Sequence, residues 1–163
     1  MSPKLIGQVP VLLQPANLVL NPSVEQPESG DWPDNWAWSA ANATRVVTQA
    51  RTGTKSLRLN PTIATAEWRA NVFAVIGSQN YRVRGYFKGT GSNETFLTIR
   101  WWSDAGGTQF VSENNISLEG SFGAWTEKSG IFSAPANAFS ADISFRCPAS
   151  TTADLYGDDF YVG

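Results

Sequence analysis

Two runs of alternating apolar and polar residues decide the fold: Tyr81-Arg82-Val83-Arg84-Gly85-Tyr86-Phe87-Lys88 and Thr95-Phe96-Leu97-Thr98-Ile99-Arg100-Trp101-Trp102. They are joined by Gly89-Thr90-Gly91-Ser92-Asn93-Glu94. Period-two alternation bounded by Gly, Ser and Asn predicts two half-buried strands that pair as a hairpin. Because successive residues of a strand point to opposite sides, each strand has an apolar face that we expect in the core. The apolar face holds Tyr81, Val83, Gly85, Phe87, Leu97, Ile99 and Trp101.

The opposite face of the same two runs combines cationic, aromatic and hydroxyl side chains. Its members are Arg82, Arg84, Tyr86, Lys88, Phe96, Thr98, Arg100 and Trp102. If the two strands pair, this polar face forms one continuous surface, which is our first candidate for a binding site.

Length and composition predict one all-β domain. The chain has 163 residues, 42% of them hydrophobic and 16% charged, which is typical of a globular protein that buries its own core. The sequence has 14 Gly and 9 Pro and no long stretch of helical period. About ten short strand-like runs follow one another at roughly 8 to 12 residue spacing, which favours a β-sandwich.

Several classes of function are excluded or disfavoured by composition. The net charge of −2 gives no basic surface for nucleic acid. The chain has no His, so Ser-His-Asp triads, Cys-His dyads and His-dependent metal sites are excluded. The single Cys147 forms no internal disulfide, and its alternation with Phe145 predicts a small core residue. No run of about 20 apolar residues is present, so we expect no membrane insertion.

The first 16 residues read as an extended N-terminal arm or linker, and residues 17–163 as the sandwich domain. Pro3, Pro10 and Pro15 prevent a helix and interrupt any central strand. The apolar run from Leu5 to Leu13 contains Gly, Gln and Pro and lacks the pattern of a signal peptide. We expect this arm to pack against the domain or a neighbouring subunit.

Five segments, taken in order, carry a family resemblance. With residues 17–25, 51–59, 81–88, 125–132 and 154–162, the sequence resembles the carbohydrate-binding modules of families four, nine, sixteen and twenty-two. The resemblance implies a galactose-binding-like jelly roll, which is an all-β sandwich of two antiparallel sheets. It also implies a non-catalytic, extracellular protein. The ordered set is specific for a fold and much less so for a ligand, because one fold hosts many functions.

The resemblance further implies a structural Ca²⁺ that joins the first segment, a turn and the last strand. The matching positions are Glu25, the backbone carbonyls from Thr52 to Lys55, and either Asp158 or Asp159. Calcium takes carboxylate and carbonyl oxygens from separate segments, so the chemistry is reasonable. The alternative is that these carboxylates lie in ordinary surface turns.

In the family, sugars lie on a concave sheet face between aromatic and polar side chains. Alternation predicts that Thr98 and Ser144 also belong to this face. Pyranose C–H groups pack on aromatic rings, while arginine donors suit hydroxyls and anionic sugars. The expected ligand-binding residues are Arg84, Tyr86, Arg100, Trp102 and Arg146, with Trp68 and Phe110 at the rims.

Two other interpretations of that face stay open. Arg and Trp are also enriched in protein interfaces. The three arginines at 84, 100 and 146 could instead form ion pairs with Glu67, Glu94 or Asp142 on a solvated face without a ligand.

Catalysis is not expected. Glycoside hydrolysis needs two carboxylates across a cleft, and alternation gives no reason to place two of Glu67, Glu113 and Asp142 opposite one another. We therefore predict no catalytic residues and a carbohydrate-binding module whose partner is a polysaccharide or glycan. The alternative is a structural or adhesive protein of a virion or cell surface, such as a capsid decoration, fibre or tail component. Such a protein would form a homo-oligomer or a larger surface assembly.

Overall fold

The computed structural model describes residues 15–27, 32–39, 42–61, 64–149 and 152–163, and everything below concerns these ranges. They contain eleven strands and no helix. The strands are β1 (Trp36–Ser39), β2 (Ala43–Val46), β3 (Ser56–Leu59), β4 (Ala66–Ala70), β5 (Phe73–Ala74), β6 (Asn80–Gly91), β7 (Phe96–Trp102), β8 (Phe110–Ser117), β9 (Gly120–Ser133), β10 (Ser140–Cys147) and β11 (Asp154–Val162).

The strands form two antiparallel sheets that pack face to face. The first sheet has the order β1-β4-β10-β7-β8, with the short β5 also paired to β10. The second has the order β2-β3-β11-β6-β9. Strands adjacent in a sheet are mostly distant in sequence, as in a jelly roll. The predicted fold class, a jelly-roll β-sandwich, is confirmed.

The predicted hairpin between the two opening runs is wrong. Strand β6 pairs with β11 and β9 in the second sheet, whereas β7 pairs with β10 and β8 in the first. The chain crosses from one sheet to the other between Gly91 and Phe96. Alternation determines which side chains point inward, but it does not determine the partner strand. The polar sides of β6 and β7 therefore lie on opposite surfaces of the molecule.

The predicted core is confirmed. Val83 and Phe87 of one sheet and Leu97, Ile99 and Trp101 of the other are fully buried between the sheets. Burial of side chains of this size contributes about 1.5–3 kcal/mol each.

Aromatic rings fill the centre of the core and explain two glycines in strands. The ring of Phe145 lies 5.4 Å from Phe87 and 6.2 Å from Phe160. A Cβ atom at Gly85 would lie 2.9 Å from Phe87 Cζ, and one at Gly157 would lie 2.9 Å from Phe160 Cζ. These inward positions therefore need glycine because the rings occupy the space. Cys147 is also fully buried, as predicted.

The two ends of the described chain meet, although not as a strand pair. We predicted a short strand in residues 17–25, but no strand forms there. Instead the Leu18 N–H donates to the Val162 carbonyl at 2.8 Å, and the predicted turn at Asn21 is closed by the Val24 N–H at 3.1 Å. The first 14 residues of the predicted arm lie outside the described residues, while Pro15 and Ala16 line an apolar pocket. The described ranges contain no helix of the length and apolarity that a membrane span requires.

Candidate functional site

The seven predicted ligand-binding residues do not share one face. Arg100, Trp102, Phe110 and Arg146 belong to the first sheet and Arg84 and Tyr86 to the second, so the expectation of a single site is wrong.

Trp68 is 1% exposed and lies in the core, so its predicted role at the rim is wrong as well. It alternates with Glu67 and Arg69 on β4, and the charged pair takes the outer side.

Strand register assembles a charged surface on the outer side of the first sheet. Asp142 lies opposite Arg100, and Ser144 lies between Arg69 on β4 and Thr98 on β7. We call this surface the charged face; it consists of Glu67, Arg69, Phe96, Thr98, Arg100, Glu113, Asp142, Ser144 and Arg146.

Asp142 organises the centre of the charged face. Its carboxylate is completely buried and accepts hydrogen bonds from Trp102 Nε1 at 2.7 Å, Arg100 Nε at 2.9 Å and Arg69 Nη2 at 2.7 Å. A buried carboxylate is tolerated only with such charged and hydrogen-bonded partners. Asp142 therefore fixes two arginines and an indole against the sheet.

Further ion pairs extend this order across four strands. Arg100 crosses from β7 over β10, so that its Nη1 lies 3.1 Å from Glu67 Oε1 on β4. Arg146 on β10 donates to Glu113 Oε1 on β8 at 2.6 Å. The alternative that arginines pair with acidic neighbours is confirmed for Arg100, whereas the partner of Arg146 was not among those considered.

Hydrogen bonding beneath the ion pairs is incomplete. Glu67 Oε1, Arg100 Nη2 and Ser144 Oγ are buried, and none has a hydrogen-bond partner within the described ranges. Glu67 Oε1 is within ion-pair distance of Arg100 but lacks hydrogen-bond alignment. An unsatisfied buried polar atom costs about 1–3 kcal/mol. The network therefore leaves one acceptor, one donor and one hydroxyl without hydrogen bonds among the described residues.

A pocket opens at one end of the charged face. It has a volume of about 390 Å³ and is lined by Thr65, Glu94, Phe96, Arg146 and Pro148. The half-buried Phe96 ring provides an apolar surface beside a guanidinium and a carboxylate.

At the other end of the charged face, Trp102 is only 9% exposed. The Arg69 guanidinium lies 5.1 Å from its ring centroid, and Phe110 packs against it edge-on at 5.6 Å. Trp102 is therefore not the open aromatic platform that we expected, while Phe110 is 56% exposed and can contact a ligand. Phe96 and Trp102 are six residues apart on β7, so the face spans about 20 Å.

Sequence reasoning missed Arg69 as a site residue and considered Asp142 only as an ion-pair partner or a catalytic carboxylate. A signal existed for both. Each is a charged residue that alternates with apolar residues inside a strand, Ala66-Glu67-Trp68-Arg69-Ala70 and Ala141-Asp142-Ile143. A charge in such a position faces outward and needs a partner from a neighbouring strand.

The segments proposed for calcium do converge. Glu25 accepts hydrogen bonds from the Thr54 N–H at 2.9 Å and the Lys55 N–H at 2.7 Å. Asp158 accepts from the Arg51 N–H at 2.8 Å and the Thr52 N–H at 3.2 Å. The two carboxylates thus bind opposite ends of the same turn.

The chemistry of these carboxylates differs. Asp158 is completely buried, and burial raises its pKa to about 7. Asp159 instead pairs with the Arg51 guanidinium and accepts the Thr52 hydroxyl at 2.6 Å. The Lys55 ammonium donates hydrogen bonds to the carbonyls of Glu25 and Pro27 at 3.2 and 2.9 Å.

The described residues contain no cluster of three or more His, Cys, Asp or Glu side chains able to hold a metal. A calcium ion here would therefore depend on Glu25, Asp158 and backbone carbonyls of residues 52–55. That donor set is all oxygen and fits calcium.

Comparison with known proteins yields structural similarity only. No family model matches the sequence, and no curated protein matches it either. The similarities below therefore rest on the fold.

Three solved structures illustrate the likeness. The enzymatically active domain of tailspike protein 4 from bacteriophage CBA120 superimposes with a TM-score of 0.67 at 20% identity over 90% of this chain, which spans only 21% of that chain. A family 16 carbohydrate-binding module gives 0.62 at 22% identity, covering 90% of this chain and 99% of the module. A family 61 module in complex with β-1,4-galactotriose gives 0.59 at 17% identity, covering 91% of this chain and 98% of the module. The protein therefore shares the jelly-roll fold of these carbohydrate-binding modules.

Proposed function

We propose that this protein is a non-catalytic carbohydrate-binding module that holds a neutral oligosaccharide along the charged face. The observation that carries the proposal is the pocket beside Phe96 and Arg146, which continues into a row of ion pairs already fixed by the fold.

The contacts of the charged face suit a sugar chain. Arg146, Glu113 and Arg69 are 29–34% exposed, so each presents part of its polar edge to solvent while a partner holds it in place. Preorganised side chains lose little conformational entropy when a ligand binds. Phe96 and Phe110 lie at the two ends of the face and offer rings for pyranose C–H surfaces.

The same geometry argues against hydrolysis. Asp142 is buried under three hydrogen-bond donors, and Glu113 is engaged by Arg146. A general acid must be free to exchange a proton with the glycosidic oxygen, and a nucleophile must reach the sugar carbon. Neither carboxylate meets that requirement.

Isothermal titration of the protein with β-1,4-galactotriose and a panel of linear neutral oligosaccharides tests the proposal. We expect at least one of them to bind, and Arg146→Gln to weaken that binding about tenfold or more, because it removes a charged hydrogen-bond donor. Arg58→Gln is the matched control, since Arg58 is equally exposed and is ion-paired to Asp154 on the other sheet. Absence of binding to every neutral saccharide, or equal loss in both variants, would overturn the proposal.

We further infer that calcium joins Glu25, the turn of residues 52–55 and Asp158. The support is a buried carboxylate with a raised pKa that shares one turn with a second carboxylate. A bound divalent cation would compensate the negative charge of the buried Asp158 carboxylate.

A second candidate function is a component of a virion or cell-surface assembly, for which the similarity to part of a bacteriophage tailspike is the supporting observation. An extracellular or particle-surface location fits both candidates. Light scattering of the purified protein distinguishes them: a stable oligomer without saccharide binding would favour the assembly, and a monomer that binds saccharide would favour the module.

A further inference from the structure

A separate pocket lies on the opposite surface of the sandwich, at the outer side of the second sheet. Its volume is about 290 Å³. We call it the arginine–tyrosine pocket; its lining includes Pro22, Arg51, Arg84, Tyr86, Asp159 and Tyr161.

Both arginines of this pocket are stacked on tyrosine rings. The Arg51 guanidinium carbon lies 3.5 Å from the Tyr86 ring centroid, and that of Arg84 lies 4.8 Å from the Tyr161 centroid. Stacking of this kind fixes the plane of a guanidinium and leaves the N–H groups at its edge available to a ligand. The pocket thus combines oriented donors with aromatic walls.

Arg84 is the donor whose hydrogen bonding is incomplete. Its Nε is buried and has no hydrogen-bond partner in the described part of the chain. Its Nη1 is 3.6 Å from Glu127 Oε2, which is beyond hydrogen-bond distance. Glu127 already accepts hydrogen bonds from the Tyr86 hydroxyl at 2.8 Å and from Arg82 Nη2 at 2.9 Å.

The charges around the pocket do not balance. Arg51 is neutralised by Asp159, which also accepts a hydrogen bond from Thr52. Arg82 and Arg84 share the single carboxylate of Glu127. Asp158 adds a buried carboxylate near Arg51, so the surplus is local. Among Arg82, Arg84 and Glu127 one positive charge is left over, and it lies beside the buried Arg84 Nε–H, which has no hydrogen-bond partner among the described residues.

We propose that the arginine–tyrosine pocket is a second ligand site that binds the carboxylate of a uronic acid residue. A carboxylate matches the planar edge of Arg84 with two parallel hydrogen bonds and neutralises the excess charge. The Pro22 and Tyr161 walls would contact the sugar ring. At about 290 Å³ the pocket is at the small end of ligand sites and suits one ring. This site is independent of the neutral-sugar site proposed above, because it lies on the other sheet.

Titration with methyl glucuronide and methyl galacturonide tests this proposal, with methyl glucoside, acetate and glucose 6-sulfate as comparison ligands. We expect a uronide to bind more tightly than methyl glucoside and acetate, and added salt to weaken it. Arg84→Gln should reduce the affinity for the uronide about tenfold or more. Arg84→Lys should have an intermediate effect, because the positive charge stays but the planar guanidinium with its paired donors is lost. Arg58→Gln, on the same sheet but outside the pocket, should change it less than about twofold. Arg146→Gln should leave it unchanged.

Several results would overturn the proposal. These are no uronide binding by the folded protein, equal affinity in Arg84→Gln, or acetate binding as tightly as the uronides. If glucose 6-sulfate binds more tightly than the uronides, the pocket selects a sulfate ester, and the proposal of a carboxylate ligand is wrong. Loss of uronide binding in Arg146→Gln alone would place the acidic sugar on the charged face instead. If Arg84→Gln does not fold, the Arg84→Lys variant decides.

Discussion

The outer faces of the two sheets use the same residue types in different arrangements. On the first sheet, Arg69, Arg100 and Arg146 are matched by Glu67, Asp142 and Glu113, and the centre of the network is buried. On the second sheet, two arginines share Glu127, and Arg84 keeps a buried nitrogen without a hydrogen-bond partner among the described residues. The first arrangement has one carboxylate for each arginine, whereas in the second Arg82 and Arg84 have one carboxylate between them. Arginines on a sheet therefore indicate a ligand type only once their acidic partners are known.

The largest expected effect comes from the centre of the balanced face. Asp142→Asn would remove the negative charge that pairs with Arg69 and Arg100. It would also replace the carboxylate that accepts the hydrogen bond of the Trp102 indole N–H. Breaking a buried ion pair in this way typically costs about 3–5 kcal/mol. Urea titration measures this loss as a change in the free energy of unfolding.

Glu113→Gln is the matched control for that substitution, because Glu113 also pairs with an arginine of the charged face but is 29% exposed. We expect a change within about 1 kcal/mol. If the two variants lose the same stability, Asp142 does not organise the face.

Calcium should have the next largest effect on stability, and its proposed ligand Asp158 lies on β11 of the second sheet. Saturating calcium at about 100 times its Kd would stabilise the protein by about 2.7 kcal/mol, so a chelator should lower the Tm. Asp158→Asn should abolish the response to calcium, while Asp159→Asn should keep it because Asp159 pairs with Arg51. A Tm that does not respond to chelator, with no metal in the purified protein, would contradict the calcium proposal.

The sequence predicted the faces of the strands well and their neighbours poorly. The alternation of residues 81–88 and 96–102 correctly assigned the core positions, because burial follows the two-residue period. The short link between the runs suggested a hairpin, yet the chain changes sheet there, since both apolar faces are buried in the same core. As a result Arg84 and Arg100 were placed together although they lie on opposite surfaces.

The candidate site was predicted less well because ion pairing depends on strand order. Asp142 approaches Arg69 and Arg100 only because β10 lies between β4 and β7. Trp102 alternates to the outer side as expected, but contacts with Arg69, Phe110 and Asp142 cover its ring. Exposure of an outward aromatic cannot be obtained from alternation alone.

Smaller effects should distinguish the two ends of the charged face. Phe96→Ala should weaken both short and long neutral oligosaccharides about twofold to twelvefold, since an aromatic contact contributes about 0.5–1.5 kcal/mol. Phe110→Ala should weaken only the longer ligands, because it lies about 20 Å away along the face. Titration with a series of increasing chain length provides the measurement. Identical length dependence in both variants would show that the ligand does not lie along the face.

The smallest expected effect concerns pH. The Tyr86 hydroxyl hydrogen bond, together with the charges of Arg84 and Arg82, lowers the pKa of Glu127 from its ordinary value of 4.5. A carboxyl with a lowered folded pKa stabilises the protein above its unfolded pKa and loses that contribution as pH falls through the folded value. Glu127→Gln should therefore reduce stability at neutral pH by less than about 1 kcal/mol and flatten its decline in acid. Parallel acid-denaturation curves for the Glu127→Gln variant and the unsubstituted protein would contradict this role of Glu127.

Binding of a neutral saccharide along the charged face of the first sheet can be located residue by residue. Backbone amide NMR spectra recorded during titration with β-1,4-galactotriose, or with whichever neutral oligosaccharide binds in calorimetry, test it most directly. We expect shift changes concentrated in β4, β7, β8 and β10, including Phe96 and Arg146, with β6 and β11 unaffected. Changes confined to β6 and β11, or no changes with any neutral oligosaccharide, would contradict it.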